Sequence, residues 1–183
     1  GYIGAVLTPR LTALGHEVHG LDIGLYEGCD FGSKPAPIPS LALDVRDVEA
    51  RHLQGFDAVI HLAALSNDPL GDINPELTYD INYRASVRLA SCAQKAGVRR
   101  FLFSSSCSLY GAAGDAPLDE GASFAPQTPY GESKVRVEQA VTDLGNRVLF
   151  FNLWWRALDD GDAERLMGHA AGLRYYLAKE RLM

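Results

Sequence analysis

Two nearly continuous apolar runs, DAVIHLAA (57–64) and RRFLFSSS (99–106), constrain this chain more than any other feature. A strand with one solvated face alternates apolar and polar side chains. A run without that alternation reads as a strand covered on both faces, as in a parallel sheet. Between the runs lies a long amphipathic segment, roughly 75–97 (PELTYDINYRASVRLASCAQKAG), stopping at Gly97. Parallel neighbours need a crossover, and a helix of that length supplies one. The pattern repeats along the chain. Residues 3–15 read as a helix ending at Gly15, with Ile3, Val6, Leu7, Leu11 and Leu14 on one stripe. Pro9 predicts a kink about two turns in, because an interior proline removes a hydrogen bond. EVHGLD (17–22) and, more weakly, LALDV (41–45) read as strands joined by a loop rich in Gly, Pro and Ser. A helix is expected over about 130–144 and a last strand over 146–155 (NRVLFFNLWW). Such alternation defines an α/β fold, a doubly wound parallel sheet with right-handed crossovers.

The composition fits one such domain. A length of 183 residues allows one core, or one core plus a short extension. With 47% hydrophobic and 22% charged residues, the chain is not of the disordered class. No apolar run approaches the ~20 residues of a membrane span. A formal net charge of -6 and a sequence pI near 5.3 disfavour non-specific nucleic-acid binding. Neither a membrane nor a nucleic acid is expected as partner. Cys29, Cys92 and Cys107 are odd in number, far apart and without zinc spacing. With no signal-like segment in the sequence, they point to a reducing, cytoplasmic setting.

The chain opens Gly1-Tyr2-Ile3-Gly4 and runs straight into the first helix. Asp22 ends the next strand, 18 residues after Gly4. Dinucleotide folds place an acidic residue at about that distance from their last glycine. Gly1 lets the backbone approach a pyrophosphate, and Gly4 lets the helix pack closely on the sheet. The helix N-terminus presents unpaired N–H groups to the phosphates. Asp22 accepts hydrogen bonds from an adenosine ribose and repels a 2′-phosphate. No Arg follows in Ile23-Gly24-Leu25, so NAD is favoured over NADP. The plain alternative makes Gly1 and Gly4 turn residues and Asp22 a solvated charge at a strand end.

Tyr130-Gly131-Glu132-Ser133-Lys134 places a phenol and an ammonium four residues apart, on one helix face. Upstream, Ser104-Ser105-Ser106 ends a buried strand. Ligands of open α/β sheets bind outside that end. A YxxxK alone is usually just a helix face. Behind a nucleotide-binding start and a strand ending in serines, it is a candidate catalytic pair.

Over roughly residues 1–153 the chain resembles the extended short-chain dehydrogenase/reductases, the NAD-dependent epimerase/dehydratase family. The resemblance rests on GYIG (1–4), GLD (20–22), LDV (43–45), HLAALS (61–66), DINY (80–83), FLFSSSCSLYG (101–111) and PYGESK (129–134). It implies a Rossmann-like domain binding NAD and acting on a nucleotide-sugar as epimerase or dehydratase. Gly1, Tyr2, Ile3 and Gly4 then match the end of the phosphate loop. Asp22 matches the ribose-binding acid, and Asp44 and Val45 the pair beside adenine. Leu62, Ala63 and Ala64 match the strand end under the cofactor, and Asn82 a helix asparagine that supports the active-site backbone. Ser106, Tyr130 and Lys134 match the catalytic triad. Ser105 is the next candidate for the serine, and Ser108 a distant one.

In the implied reaction Tyr130 is general base, Ser106 holds the reacting oxygen, and Lys134 binds the nicotinamide ribose and favours the phenolate. Moving a tyrosine pKa from ~10 to near 7 needs about 4 kcal/mol. One cation at about 4 Å supplies a similar amount at an effective dielectric near 20. A more distant Lys needs help from the positive nicotinamide ring. The family also commonly forms dimers through helices like 75–97 and 130–144.

Two departures from the family pattern set further expectations. The family has a strand and the first glycine of its motif directly before GYIG, whereas this chain opens on Gly1. The strands around 17–22 and 57–64 are then expected to lose the central neighbour they share. After about Leu153 no substrate-lobe loop is recognisable, so 154–183 is read as a divergent tail. A helix is expected from Asp162, with Ala163, Leu166, Met167, Ala170, Leu173 and Leu177 on one face. Trp154 and Trp155 are expected as core or boundary residues. A non-catalytic dinucleotide-binding module, or an inactive fragment of such an enzyme, is the competing reading. His16, His19 and His61 carry no metal-ligand spacing, and Cys107 reads as a small packing residue, with a place near the cofactor as the alternative.

Overall fold

The computed structural model describes residues 1–29, 36–111, 122–142 and 148–152. Helix α1 (Tyr2–Ala13) leads to strands β1 (Gly20–Asp22) and β2 (Ser40–Ala42). Strand β3 (Ala58–His61) is followed by two short helices, α2 (Asp68–Ile73) and α3 (Pro75–Thr78). A π-helical stretch over Tyr79–Arg84 joins α3 to α4 (Ala85–Lys95). Strand β4 (Arg100–Ser105), helix α5 (Pro129–Thr142) and strand β5 (Val148–Asn152) complete the order. Every strand pairing is parallel. The expected helix over 75–97 thus exists as one run, α3 through α4. The tail at 154–183 and its expected helix lie outside the described residues.

The strands form two sheets, β1-β2 and β3-β4-β5. In register, Leu21 faces Leu41, Ile60 faces Leu102, and Phe103 faces Phe150. Strands β1 and β3, expected to lose a shared neighbour, do fall in different sheets. The sheets still communicate with one core. Leu21 and Leu43 pack against the cluster built by Val48, Leu89, Phe101, Phe103, Val137 and Val141.

Strand β4 departs from its expectation. Phe101, Phe103 and Ser105 are buried, while Leu102 and Ser104 are only half-buried. The strand therefore alternates, with its buried face sharing the core of α4 and α5. Strand β3 is similar: Ala58 is exposed and only His61 is fully buried. An apolar run shows that a strand is apolar on both faces, but it does not supply the layers that cover them.

Local signals explain the short helices. Asn67 caps α2 by accepting from the Leu70 amide, and Asn74 caps α3 through the Leu77 amide. Each cap precedes a proline in the first turn, where its missing N–H costs nothing. Pro9 sits inside α1, as expected.

Candidate active site

Helix α5 carries both residues of the YxxxK, and both are buried: Tyr130 is 8% and Lys134 4% exposed. The helix starts next to the turn over Cys107–Tyr110 that follows β4. A Cβ on Gly131 would lie 2.8 Å from the Ser108 carbonyl oxygen, so glycine permits this close approach. Lys134 Nζ donates to the Ser104 carbonyl at 2.8 Å. It lies 4.7 Å from the Phe103 ring centre and 5.5 Å from the Tyr130 ring centre. Ser106 caps the turn through the Ser108 amide (3.2 Å), and its hydroxyl lies close enough to Tyr130 to lower the phenol's pKa. Ser106, Tyr130 and Lys134 therefore converge at the C-terminal end of β4.

The alternative serines are placed differently. Ser105 is buried, and its hydroxyl has no hydrogen-bond partner among the described residues. Ser108 Oγ donates to Asp68 Oδ2 at 3.1 Å.

The electrostatics are less simple than expected. Burial pushes the Tyr130 phenol above its ordinary pKa, Ser106 pulls it down, and Asp68 and Cys107 push it up. Lys134 does not offset this: burial drives its own pKa down to about 8. An ammonium beside the ring rather than at the hydroxyl is a weak activator.

A second network braces this end of the sheet. The Ser86 hydroxyl donates to the Asn82 carbonyl at 2.7 Å. It therefore accepts from His61 Nε2, also at 2.7 Å, which fixes the proton on that nitrogen. Burial drives the His61 pKa down to about 3, with Lys134 adding to the effect. Asn82, fully buried in the π-helical stretch, bridges the Leu65 backbone: Oδ1 accepts from N–H (2.8 Å) and Nδ2 donates to C=O (3.0 Å). Asn82 thus holds the loop after β3, which carries Leu62, Ala63 and Ala64. It has no free surface for a ligand.

Gly1, Gly4 and Asp22, expected to hold the nucleotide, gather around the start of α1. Gly1 is its N-cap; no side chain caps it and no acidic residue lies in its first turn. The Gly1 amino group lies 3.5 Å from Asp22 Oδ2, so the helix start and the β1 end adjoin. Asp22 Oδ1 accepts from the Gly24 amide at 2.8 Å, leaving a side chain 61% exposed. A Cβ on Gly1 or Gly4 would meet nothing within 4 Å, so the close helix–sheet packing expected at Gly4 is not found. An open hollow of about 370 Å³ runs from Gly1, Gly4 and Thr8 to Ile38 and Ser40. Uncapped amides, open glycines and an exposed carboxylate suit a diphosphate and a ribose. Asp44 is different: Arg46 grips its carboxylate, with Nη2 at 2.7 Å, and holds its pKa below the usual range. Val45 is buried in the core.

Sequence reasoning missed Asp68. It lies in the first turn of α2 and accepts from both Ser108 and Thr128, across 40 and 60 residues of chain. The one local signal was an acid at a helix start, which gives no partner.

A model of the NAD dependent epimerase/dehydratase family matches residues 1–153. The UDP-glucose 4-epimerase of Streptomyces lividans is 34% identical over 150 residues, which are 78% of this chain and 44% of that protein. The UDP-glucose 4-epimerase of Azospirillum brasilense is 31% identical over 152 residues, 79% of this chain and 42% of that protein. Among solved structures, the UDP-glucose-4-epimerase from Stenotrophomonas maltophila superposes with a TM-score of 0.71 at 32% identity. That match covers 83% of this chain and 49% of the other. An NAD-dependent NDP-hexosamine 5,6-dehydratase of tunicamycin biosynthesis gives 0.75 at 27% identity, covering 84% and 52%. The chain belongs to the NAD-dependent epimerase/dehydratase family. It spans less than half the length of these curated relatives.

Proposed function

We propose that this chain carries the NAD-binding and proton-transfer half of a nucleotide-sugar epimerase or dehydratase, with Ser106, Tyr130 and Lys134 as its catalytic residues. The convergence of these three at the end of β4 carries the reading. Support for the substrate class comes from relatives named UDP-glucose 4-epimerase. Tyr130 takes a proton from a sugar hydroxyl, and Ser106 hydrogen-bonds the same oxygen. Lys134, with donors beyond its bond to Ser104, holds a ribose hydroxyl. The amides of Tyr2, Ile3 and Gly4 hold the diphosphate and Asp22 the adenosine ribose. NAD, when bound, supplies the hydride acceptor and a positive charge beside the phenol. Among the described residues no helix is long and apolar enough to cross a membrane. Two copies associate through the faces of α4 and α5 in this reading, which a size measurement in solution tests.

The deciding experiment pairs NAD binding with turnover. NAD at 100 times its Kd is expected to stabilise the chain by about 2.7 kcal/mol in a thermal-shift assay. Interconversion of UDP-glucose and UDP-galactose is assayed on this chain and on a version extended at both ends. Tyr130→Phe is expected to lower turnover by roughly 10²–10⁴-fold without changing the response to NAD. Stabilisation without turnover in either version supports a dinucleotide-binding module instead. Full turnover by Tyr130→Phe overturns the catalytic assignment.

A further inference from the structure

We propose that Asp68 is a positioning residue of the site, tying the turn that holds Ser106 to the first turn of α5 so that Ser106 and Tyr130 stay adjacent. The proposal rests on the reading of Ser106 and Tyr130 as the reacting pair, and deepens it. Asp68 lies in the first turn of α2, half-buried, with each carboxylate oxygen engaged by a different element. Oδ2 accepts from Ser108 Oγ at 3.1 Å, and Ser108 is the residue whose amide donates to Ser106 Oγ. Oδ1 accepts from Thr128 Oγ1, which in turn accepts from the Gly131 amide at 3.1 Å. One carboxylate thus reaches within two bonds of Ser106 on one side and of the Tyr130–Gly131 backbone on the other. A carboxylate suits this post because it is acceptor-only and takes two hydroxyl donors at once.

The same charge acts on Tyr130 through space. The titratable groups facing the phenol are Asp68 from α2, Cys107 from the turn after β4, and Lys134 from its own helix. Asp68 opposes ionisation of the phenol.

The test needs neither NAD nor sugar, so it stays separate from the functional reading. Tyrosine labelled at Cζ is introduced into this chain, and Tyr130 is assigned by comparison with Tyr130→Phe. Its alkaline titration is followed by NMR in the wild type and in Asp68→Asn, Asp68→Ala and Thr128→Val, each with and without Ser106→Ala. Asp68→Asn removes the charge and keeps one acceptor and one donor, so the Tyr130 midpoint is expected to fall. In the wild type and in Asp68→Asn, Ser106→Ala is expected to raise the midpoint by the same amount. In Asp68→Ala and in Thr128→Val that response is expected to shrink or vanish. If Asp68→Ala does not fold, Thr128→Val cuts the same tie from the other end with little change of shape. An undiminished response to Ser106→Ala in Thr128→Val, or an unmoved midpoint in Asp68→Asn, overturns the proposal. Loss of turnover in Tyr130→Phe with an undiminished response would leave the functional reading standing while this one fell.

Discussion

Helices α1 and α4 close with the same hydrogen bonds. In each, the first amide beyond the cap is a glycine donating three residues back, to Thr12 and to Gln94. The next amide, from His16 and from Val98, reaches five residues back, to Leu11 and to Ala93. Gly15 and Gly97 take φ of 87° and 78° to permit this. Their burial is opposite. Helix α1 buries no residue, whereas α4 buries Ala85, Ser86, Leu89, Ala90 and Ala93. Helix α4 lies against α5 and the three-stranded sheet through Phe101, Phe103, Val137 and Val141. Around α1, Tyr2 (73%), Leu14 (75%), Leu25 (72%) and Tyr26 (63%) stay exposed. Helix ends are local chemistry, set by a few residues of sequence. Helix stability is mostly tertiary, set by what covers the apolar stripe.

The largest expected effect follows directly. Leu89→Ala empties a fully packed site and is expected to cost about 3 kcal/mol in urea unfolding. Leu14→Ala removes the same atoms from an exposed surface and is expected to cost under ~0.5 kcal/mol. Similar losses at both positions would show that α1 carries a share of the global fold that its exposure hides.

Legibility divides along the same line. The stripe of α4 was readable because its small and apolar residues recur at helical spacing and do face a core. The stripe of α1 was just as readable, yet Leu11 is half-buried and Leu14 exposed. The order of strands, their parallel sense and the separation of β1 from β3 were legible. Their lengths were less so: the runs at 17–22 and 41–45 became Gly20–Asp22 and Ser40–Ala42. A propensity run does not say where pairing starts. The YxxxK geometry was legible because four residues make one helical turn. The tie through Asp68 was not, since its partners come from elements 40 and 60 residues away. Nor was the π-helical stretch that carries Asn82, or the bridge from its side chain to the Leu65 backbone 17 residues away. The burial that raises the Tyr130 pKa was not legible either, because the sequence names a neighbouring cation but not what covers the phenol.

The buried half also holds the groups that make stability depend on pH. His61 is neutral in the fold, with its pKa depressed to about 3 from the ordinary 6.5. Below pH 6.5 the unfolded chain binds a proton that the folded chain refuses. Stability therefore falls as the pH drops from 6.5 towards 3, by at most ~1.4 kcal/mol per pH unit for this one group. Above 6.5 both states are neutral and the contribution is flat. His61→Asn keeps a donor for Ser86 and removes the titration. Urea unfolding at pH 7 and pH 5 is expected to show a smaller acid loss in the variant than in the wild type. An equal loss in both would mean that His61 accepts its proton without unfolding the network with Ser86 and Asn82.

The caps themselves give the smallest effect and the sharpest comparison. An alanine in the left-handed region costs about 1 kcal/mol relative to glycine, and that local cost is expected to be the same at Gly15 and Gly97. Its consequence is not. Helix α4 is joined to the core by five buried side chains, so fraying its last turn also loosens Ala93. Gly97→Ala is therefore expected to lower global stability by about 1 kcal/mol, and to speed hydrogen exchange throughout α4. Helix α1 has no buried residue through which the same strain can reach the core. Gly15→Ala is expected to speed exchange only at the end of α1, with the urea midpoint nearly unmoved. If both variants shift the midpoint equally, α1 and α4 unfold as one unit and burial is the wrong measure of how a helix is held. If NAD at saturation makes the Gly15→Ala loss rise to that of Gly97→Ala, then occupancy of the helix start, rather than packing along its side, is what joins α1 to the rest of the fold.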